Sequence, residues 1–342
     1  MSEDVGGEQG PEKGSIGLLA QVFPREVVDA AIGRAGVKEL RERALPARLM
    51  VYFVIGMWLW SSAGYVRVLK KVTAGLRWAA DDAERDALPY DGSIAKARAR
   101  LGEAVMADLF ADCAGPVGRV GEAGVFFAGL RVASLDGTVF DAKPTPENVA
   151  AFAVPAGGAL PQVRLFAFAE CGTMALLGAA FDSAEVGERE LAGRLLGRFA
   201  PGMLVLADRG FPSFELWRDA MASGADLAWR VSVSFALITT LLDPAAYRAL
   251  DLVGLYAARW QVELLFKILK VELRESGTVL RSKSPAMIRQ ELWGLLCCYQ
   301  AVRLATAHVA ARAHVEVRRV KFPELFDAVR DSVATVIFPL HA

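Results

Sequence analysis

Apolar and polar residues follow two different rhythms along this chain, and the change between them falls near Val125. Over residues 15–118 apolar positions recur at steps of three and four, as helices with one buried face require. Leu18, Leu19, Val22 and Phe23 open this stretch, residues 49–60 form a nearly unbroken apolar run, and residues 65–69 continue it. After Asp91-Gly92, Ser93 stands where it can cap a helix running over residues 95–101. Residues 1–14 are polar and Gly-rich, a composition expected of a disordered tail.

Beyond Val125 the apolar runs shorten and turn residues punctuate them. Residues 131–135 read as a short strand that ends at Asp136-Gly137-Thr138. Residues 162–170 and 174–181 read as strands joined by Cys171-Gly172-Thr173, a hairpin signal. A helix is predicted over 188–199, a buried strand over 203–207 that stops at Asp208-Arg209-Gly210-Phe211, a helix over 213–222 and a strand over 226–231. Strands in hairpin order, then strand-helix-strand and closing helices, predict an α/β (α+β) chain: a mixed sheet flanked by helices over 125–342, preceded by an all-helical domain over 15–118.

The length of 342 residues fits about two domains. Thirty-nine basic residues balance thirty-nine acidic ones, which argues against a surface that binds nucleic acid everywhere and leaves a local groove open. Cations do gather after Arg259, where solvated helix faces and a polyanion site are both open readings. The four cysteines form no C-x-x-C pair, which excludes a zinc ribbon or a disulfide framework. Residues 49–64 are apolar enough to raise a membrane anchor, but the run falls short of about twenty residues and closes in Ser61-Ser62. A buried helix in a soluble, cytoplasmic protein without a secretory signal is the expected reading.

Two kinds of residue carry candidate chemistry. Asp136 and Asp208 each follow the last apolar residue of a predicted strand, where ligands gather in sheets flanked by helices. Each is also an ordinary turn or capping residue taken singly. Tyr256, Arg259, Glu263 and Lys270 follow steps of three, four and seven inside an apolar-periodic run, so one helix face carries a phenol, a carboxylate and two cations. Glu263 with Lys267 four residues on is also the pattern of a surface pair. Three carboxylates together offer hard oxygen ligands suited to Mg²⁺ or Mn²⁺. Arg281 and Lys283 precede a helix that Ser284 can cap and Pro285 can start, a place friendly to phosphate.

With these residues in hand the chain resembles a bacterial DDE transposase of the insertion-sequence-four family, the group named for its YREK signature. The resemblance runs over residues 17–333 and includes Leu135-Asp136-Gly137-Thr138, Thr145-Pro146-Glu147-Asn148, Val205-Leu206-Ala207-Asp208-Arg209-Gly210-Phe211, the Tyr256–Lys270 signature and Leu280-Arg281-Ser282-Lys283-Ser284-Pro285. It implies an RNase H-like core with Asp136, Asp208 and Glu263 as catalytic ligands of two metal ions. Tyr256, Arg259 and Lys270 would face transposon-end DNA, with Arg281 and Lys283 as further contacts. It further implies an N-terminal domain that binds terminal inverted repeats, a homodimeric synaptic complex, cleavage at the ends and strand transfer to double-stranded target DNA. Such a protein would lie in the cytoplasm and at the nucleoid when bound. Family members carry a long β-rich insertion between the second Asp and the Glu, and here it is reduced to a link near residues 232–236. The alternative reading is therefore a cleavage-deficient, internally deleted transposase acting as a DNA-binding repressor or an inert remnant.

Overall fold

A computed structural model of the chain describes residues 18–37, 43–75, 90–231, 235–273 and 279–335. The tail expected at 1–14 and residues 232–234 of the short link lie outside the described residues. Among the described residues the helices α1 (Leu18–Val22), α2 (Arg25–Arg34), α3 (Ala47–Leu59), α4 (Tyr65–Gly75), α5 (Asp91–Leu101) and α6 (Ala104–Cys113) come first. Next come β1 (Phe126–Phe127), β2 (Leu130–Ala142), α7 (Pro146–Phe152), β3 (Gln162–Glu170), β4 (Leu176–Ser183), α8 (Glu188–Gly193), β5 (Met203–Ala207), α9 (Phe214–Met221), β6 (Asp226–Arg230) and β7 (Leu237–Thr239). The chain closes with α10 (Ala249–Tyr256), α11 (Gln261–Lys267), β8 (Val279–Leu280), α12 (Pro285–Arg312) and α13 (Phe322–Thr335).

The main sheet has the order β4-β3-β2-β5-β6-β7, with β1 and β8 also paired to β2. Pairs β2·β3, β3·β4 and β6·β7 are antiparallel, while β2·β5 and β5·β6 are parallel. The predicted mixed sheet with flanking helices is the fold observed. Both faces are covered, which explains the nearly continuous apolar strands. Odd-numbered Ala133, Leu135, Val205 and Ala207 pack with α8 and α9, whereas Val132, Leu204 and Leu206 pack with Leu252 of α10. The alternation follows from side chains that point to opposite faces at a period of two.

The apolar run read as a helix is α3, and its residues from Leu49 to Leu59 are all buried inside the protein. It packs against α12 as part of a core that also takes in β3 residues Val163, Leu165, Ala167 and Ala169. Among the described residues no helix is long and apolar enough to cross a membrane. The close approach of α3 and α12 depends on Gly294, where an added Cβ would lie 2.7 Å from Val54 Cγ1 and 3.1 Å from the Val54 carbonyl oxygen. Gly294→Ala is therefore expected to cost about 1–3 kcal/mol of stability by overpacking. Urea unfolding of the variant measures it.

Several boundaries differ from the sequence expectation for identifiable reasons. α5 starts at Asp91 with Tyr90 as its N-cap, so Ser93 lies inside the first turn instead of capping it. Ser213 does cap α9, accepting from the Leu216 N–H, and Thr145 caps α7 through the Asn148 N–H. Ser284 occupies the N-cap position before Pro285, yet its side chain accepts no capping hydrogen bond. The helix expected over 188–199 ends at Gly193 and gives way to a 3₁₀ turn over Leu196–Arg198.

Candidate active site

The parallel ladder between β2 and β5 sets the first two carboxylates side by side. Ser134 pairs with Leu206, so Asp136 and Asp208, each two residues further on, leave the ladder in step. Adjacent strands lie roughly 5 Å apart, and a two-residue step returns to the same face. That face is the one α10 covers. β2 does not end at Asp136 as its Gly-Thr sequence suggests. It runs on to Ala142 because β3 stays paired through Asp136↔Ala167, Gly137↔Phe166 and Thr138↔Leu165. Only the β5 side opens there, and the opening exposes the two aspartates.

The signature segment crosses this opening as a winding of changing pitch. After α10 comes a 3₁₀ turn over Ala257–Trp260, then α11, then a π turn over Ile268–Glu272. This corrects the reading of one regular helix. Changes of pitch let Tyr256, Arg259 and Glu263 all turn inward. The Tyr256 hydroxyl lies 3.2 Å from both the Ala207 carbonyl oxygen and Asp208 Oδ1. Arg259 places one guanidinium among three carboxylates: Nη1 is 3.2 Å from Asp136 Oδ2, and Nη2 is 3.2 Å from Glu263 Oε1 and 3.8 Å from Asp208 Oδ2. Its side chain is only 5% exposed, against 22% for Asp136, 31% for Asp208 and 41% for Glu263. Arg259 Nε is buried without an acceptor. Among the described residues no group of three acidic, His or Cys side chains is arranged to hold a metal ion as it stands. The position between the carboxylates is taken by the guanidinium.

The electrostatics follow from that arrangement. Burial pushes the Asp136 carboxyl above its ordinary range; its hydrogen bond from the Gly137 N–H and the charge of Arg259 pull it back, while Glu263 and Glu188 add to the rise. Burial works against the Arg259 charge, yet Asp208, Tyr256, Asp136 and Glu263 outweigh it and hold the guanidinium above its usual value. Tyr256 is raised by burial and by the Asp208 charge, so its hydroxyl keeps its proton and acts as a donor.

Arg230, absent from the sequence expectation, ends β6 with Nη1 3.7 Å from Asp208 Oδ1. A cation following Leu-Ala-Trp at the end of a strand neighbouring Asp208 was the available signal. Lys270 lies in the π turn with Nζ 5.5 Å from the Phe140 ring centroid. Lys283 is exposed beside the Thr145 cap, whose hydroxyl donates to the Lys283 carbonyl oxygen. Arg281, expected at DNA, is instead turned inward. Its guanidinium donates to the carbonyl oxygens of Met57, Ser61 and Ala63 at the end of α3, and burial pulls it below its ordinary value. Orphan carbonyls at a helix C-terminus are natural partners for a cation. Arg281→Ala is expected to cost about 2–4 kcal/mol in thermal unfolding, since hydrogen bonds from charged donors are lost to buried acceptors. Lysine there should recover less than half, because it lacks the fork that spans several carbonyls.

A mixed sheet that delivers two aspartates in register to a glutamate on a covering helix defines an RNase H-like fold. Comparison with known proteins agrees. Residues 13–111 match the family described as insertion element 4 transposase N-terminal, and residues 128–301 match the transposase DDE domain. The chain belongs to the DDE transposases of the insertion-sequence-four family. The transposase InsG for insertion sequence element IS4 of Escherichia coli (strain K12) is 24% identical over 339 residues, covering 83% of this chain and 75% of the relative. In fold the chain is similar to the piggyBac transposase of a synaptic complex with hairpin DNA, with a TM-score of 0.52, 10% identity, and coverage of 93% of this chain and 79% of that one.

Proposed function

We propose that this chain cuts DNA at transposon ends and joins the freed ends to target DNA. Membership of the family supports DNA transposition in general terms, and the observation that carries the finer reading is the convergence of Asp136, Asp208 and Glu263 on one buried cation. The residues fit divalent metal by their chemistry: the donors are carboxylate oxygens alone, and they already gather around one positive charge, the Arg259 guanidinium. Asp136, Asp208 and Glu263 are the residues that would hold Mg²⁺ or Mn²⁺, as a pair of ions. Bound divalent ions supply Lewis-acid stabilisation to the attacking and leaving oxygens of an in-line displacement at phosphorus.

The reaction balances in two steps. A water oxygen bonds to phosphorus as the P–O3′ bond breaks, and the proton that the water gives up ends on the 3′ oxygen. The new 3′-hydroxyl then attacks a target phosphodiester, exchanging one P–O bond for another. Tyr256 orients Asp208 through its hydroxyl. With the carboxylates engaged by metal, the Arg259 fork would be free to hold a DNA phosphate, a contact that positions without reading sequence. Lys270 and Lys283 provide further phosphate contacts. Arg281 is not assigned there, because its donors are spent on α3. The helices over 15–118 bind the terminal inverted repeats, and two copies pair the two ends.

The short link bears on the alternative. β6 and β7 pair directly, with Arg230 opposite Leu237 and the Val231 N–H donating to the Ala236 carbonyl oxygen. The sheet thus closes without an insertion, and the strand order that positions Asp208 is kept. Gel shift and nicking of DNA carrying the native element ends, with and without Mg²⁺, tests the assignment. Shift together with Mg²⁺-dependent nicks supports cutting; shift with no nick under any divalent ion makes the chain a DNA-binding repressor.

A further inference from the structure

The short link between β6 and β7 carries one aromatic residue, Phe235, and the sheet sets it at the rim of the candidate site. Arg230 pairs with Leu237 across the two strands, and the Val231 N–H donates to the Ala236 carbonyl oxygen, so Phe235 stands just before β7. Its ring meets the Tyr256 ring edge-on, with centroids 5.4 Å apart and planes at 77°. The Arg230 guanidinium lies over the Phe235 ring, 5.8 Å from its centroid. Phe235 is 50% exposed, whereas Tyr256 beside it is only 4% exposed.

Both partners of that ring address one carboxylate. The Tyr256 hydroxyl is 3.2 Å from Asp208 Oδ1, and Arg230 Nη1 is 3.7 Å from the same oxygen. Asp208 follows the last residue of β5 and lies beyond the pairings with β2 and β6. The direction of its side chain therefore depends on the groups that hold its oxygens. A ring packed edge-on against a tyrosine restrains the tyrosine plane, and a ring under a guanidinium attracts the cation. Removing the ring would also open Tyr256 to water, which competes for the hydrogen bond that Asp208 accepts. A side chain half in water gains little from its own burial, which leaves these two ring contacts as its main contribution.

We propose that Phe235 is a positioning residue for Asp208, holding Tyr256 and Arg230 against that carboxylate. The inference rests on the cutting-centre reading above, in which Asp208 is one of three working carboxylates. It gives the shortened link a part in the site beyond closing the sheet, because the link delivers the ring to Tyr256.

Four variants of the full chain test this: Phe235→Ala, Phe235→Trp, Tyr256→Phe, and Phe235→Ala combined with Tyr256→Phe. In single-turnover cleavage of a duplex bearing the element end, Phe235→Ala should cut about tenfold more slowly, in line with the sensitivity of such centres to small misplacements. It should bind the end within about twofold of wild type and melt within about 2 °C of it, as half-exposed substitutions do. Tryptophan, which again offers a ring face and edge, should restore most of the rate. In the Tyr256→Phe background the loss from Phe235→Ala should shrink, because the hydroxyl to be held is already gone. A second readout needs neither metal nor DNA. In protein labelled with 3-fluorotyrosine, the Tyr256 fluorine line is identified by its absence in Tyr256→Phe. Broadening of that line by a dissolved gadolinium chelate should be slight in wild type and Phe235→Trp and strong in Phe235→Ala. An unchanged Tyr256 line in Phe235→Ala, or a loss of end binding equal to the loss of cleavage, overturns the proposal. If wild type cuts and Phe235→Ala cuts as fast, Phe235 alone loses its role. If wild type itself does not cut, the cutting-centre reading fails and takes the positioning role with it.

Discussion

Asparagine in place of Asp208 is expected to reduce Mg²⁺-dependent cleavage of end-bearing DNA by about 10³-fold or more while end binding stays within about twofold. Metal polarisation supplies several kcal/mol of charge stabilisation in such displacements, and about 4 kcal/mol corresponds to that factor. The substitution keeps the shape of the side chain, so Tyr256 still finds an oxygen to bond. What is lost is one negative charge out of the set that holds Arg259. Asp136→Asn and Glu263→Gln should behave alike if, as proposed, all three carboxylates act on one centre, where losses do not add. Single-turnover cleavage measured beside a gel shift on the same DNA separates the two effects. An equal loss of binding and cleavage would mean that Asp208 supports the fold instead of the chemistry.

Arg98→Met should bring the largest loss of stability, about 3–5 kcal/mol and roughly 10 °C in melting temperature. Arg98 is fully buried between the N-terminal helices and α12. It donates to Gln290 Oε1 at 3.0 Å, the Tyr65 hydroxyl at 2.6 Å, Ser282 Oγ at 3.2 Å and the Met287 carbonyl oxygen at 3.3 Å. Ser282 in turn donates through its hydroxyl and its N–H to Glu291, itself buried. Methionine fills much of the volume but leaves Gln290, Tyr65, Ser282 and the Met287 carbonyl without their donor, and the Ser282 hydroxyl that bonds Glu291 loses its anchor. Adding Glu291→Gln should therefore cost less in the Arg98→Met background than in wild type, a coupling that a double-mutant cycle by urea unfolding reads out. Simple additivity would show that Arg98 acts by packing alone.

Much of this fold was legible from local pattern. β3, β5 and β6 were read within a residue, and Asp208 at the end of β5 followed from the apolar run before it. β2 was not, because Asp136-Gly137-Thr138 has the local chemistry of a turn and only pairing with β3 holds it extended. The pitch changes around Arg259 were equally hidden, since a helical period is blurred but not broken by one 3₁₀ turn. Arg281 shows the limit most plainly. A cation ahead of a capped helix reads as a phosphate site, and nothing within ten residues reveals that the end of α3, more than two hundred positions away, supplies its acceptors.

The claim that this chain, with its β6–β7 link as short as it is, still carries a working metal-dependent cutting centre is tested most directly on wild-type protein. A duplex bearing the element's own end and flanking DNA, incubated with Mg²⁺ and analysed on a denaturing gel, should yield a break that leaves a 3′-hydroxyl at the end of the element. The break should vanish with EDTA and with Asp208→Asn. A protein that binds the end yet leaves both strands intact in Mg²⁺ and in Mn²⁺ would contradict the account.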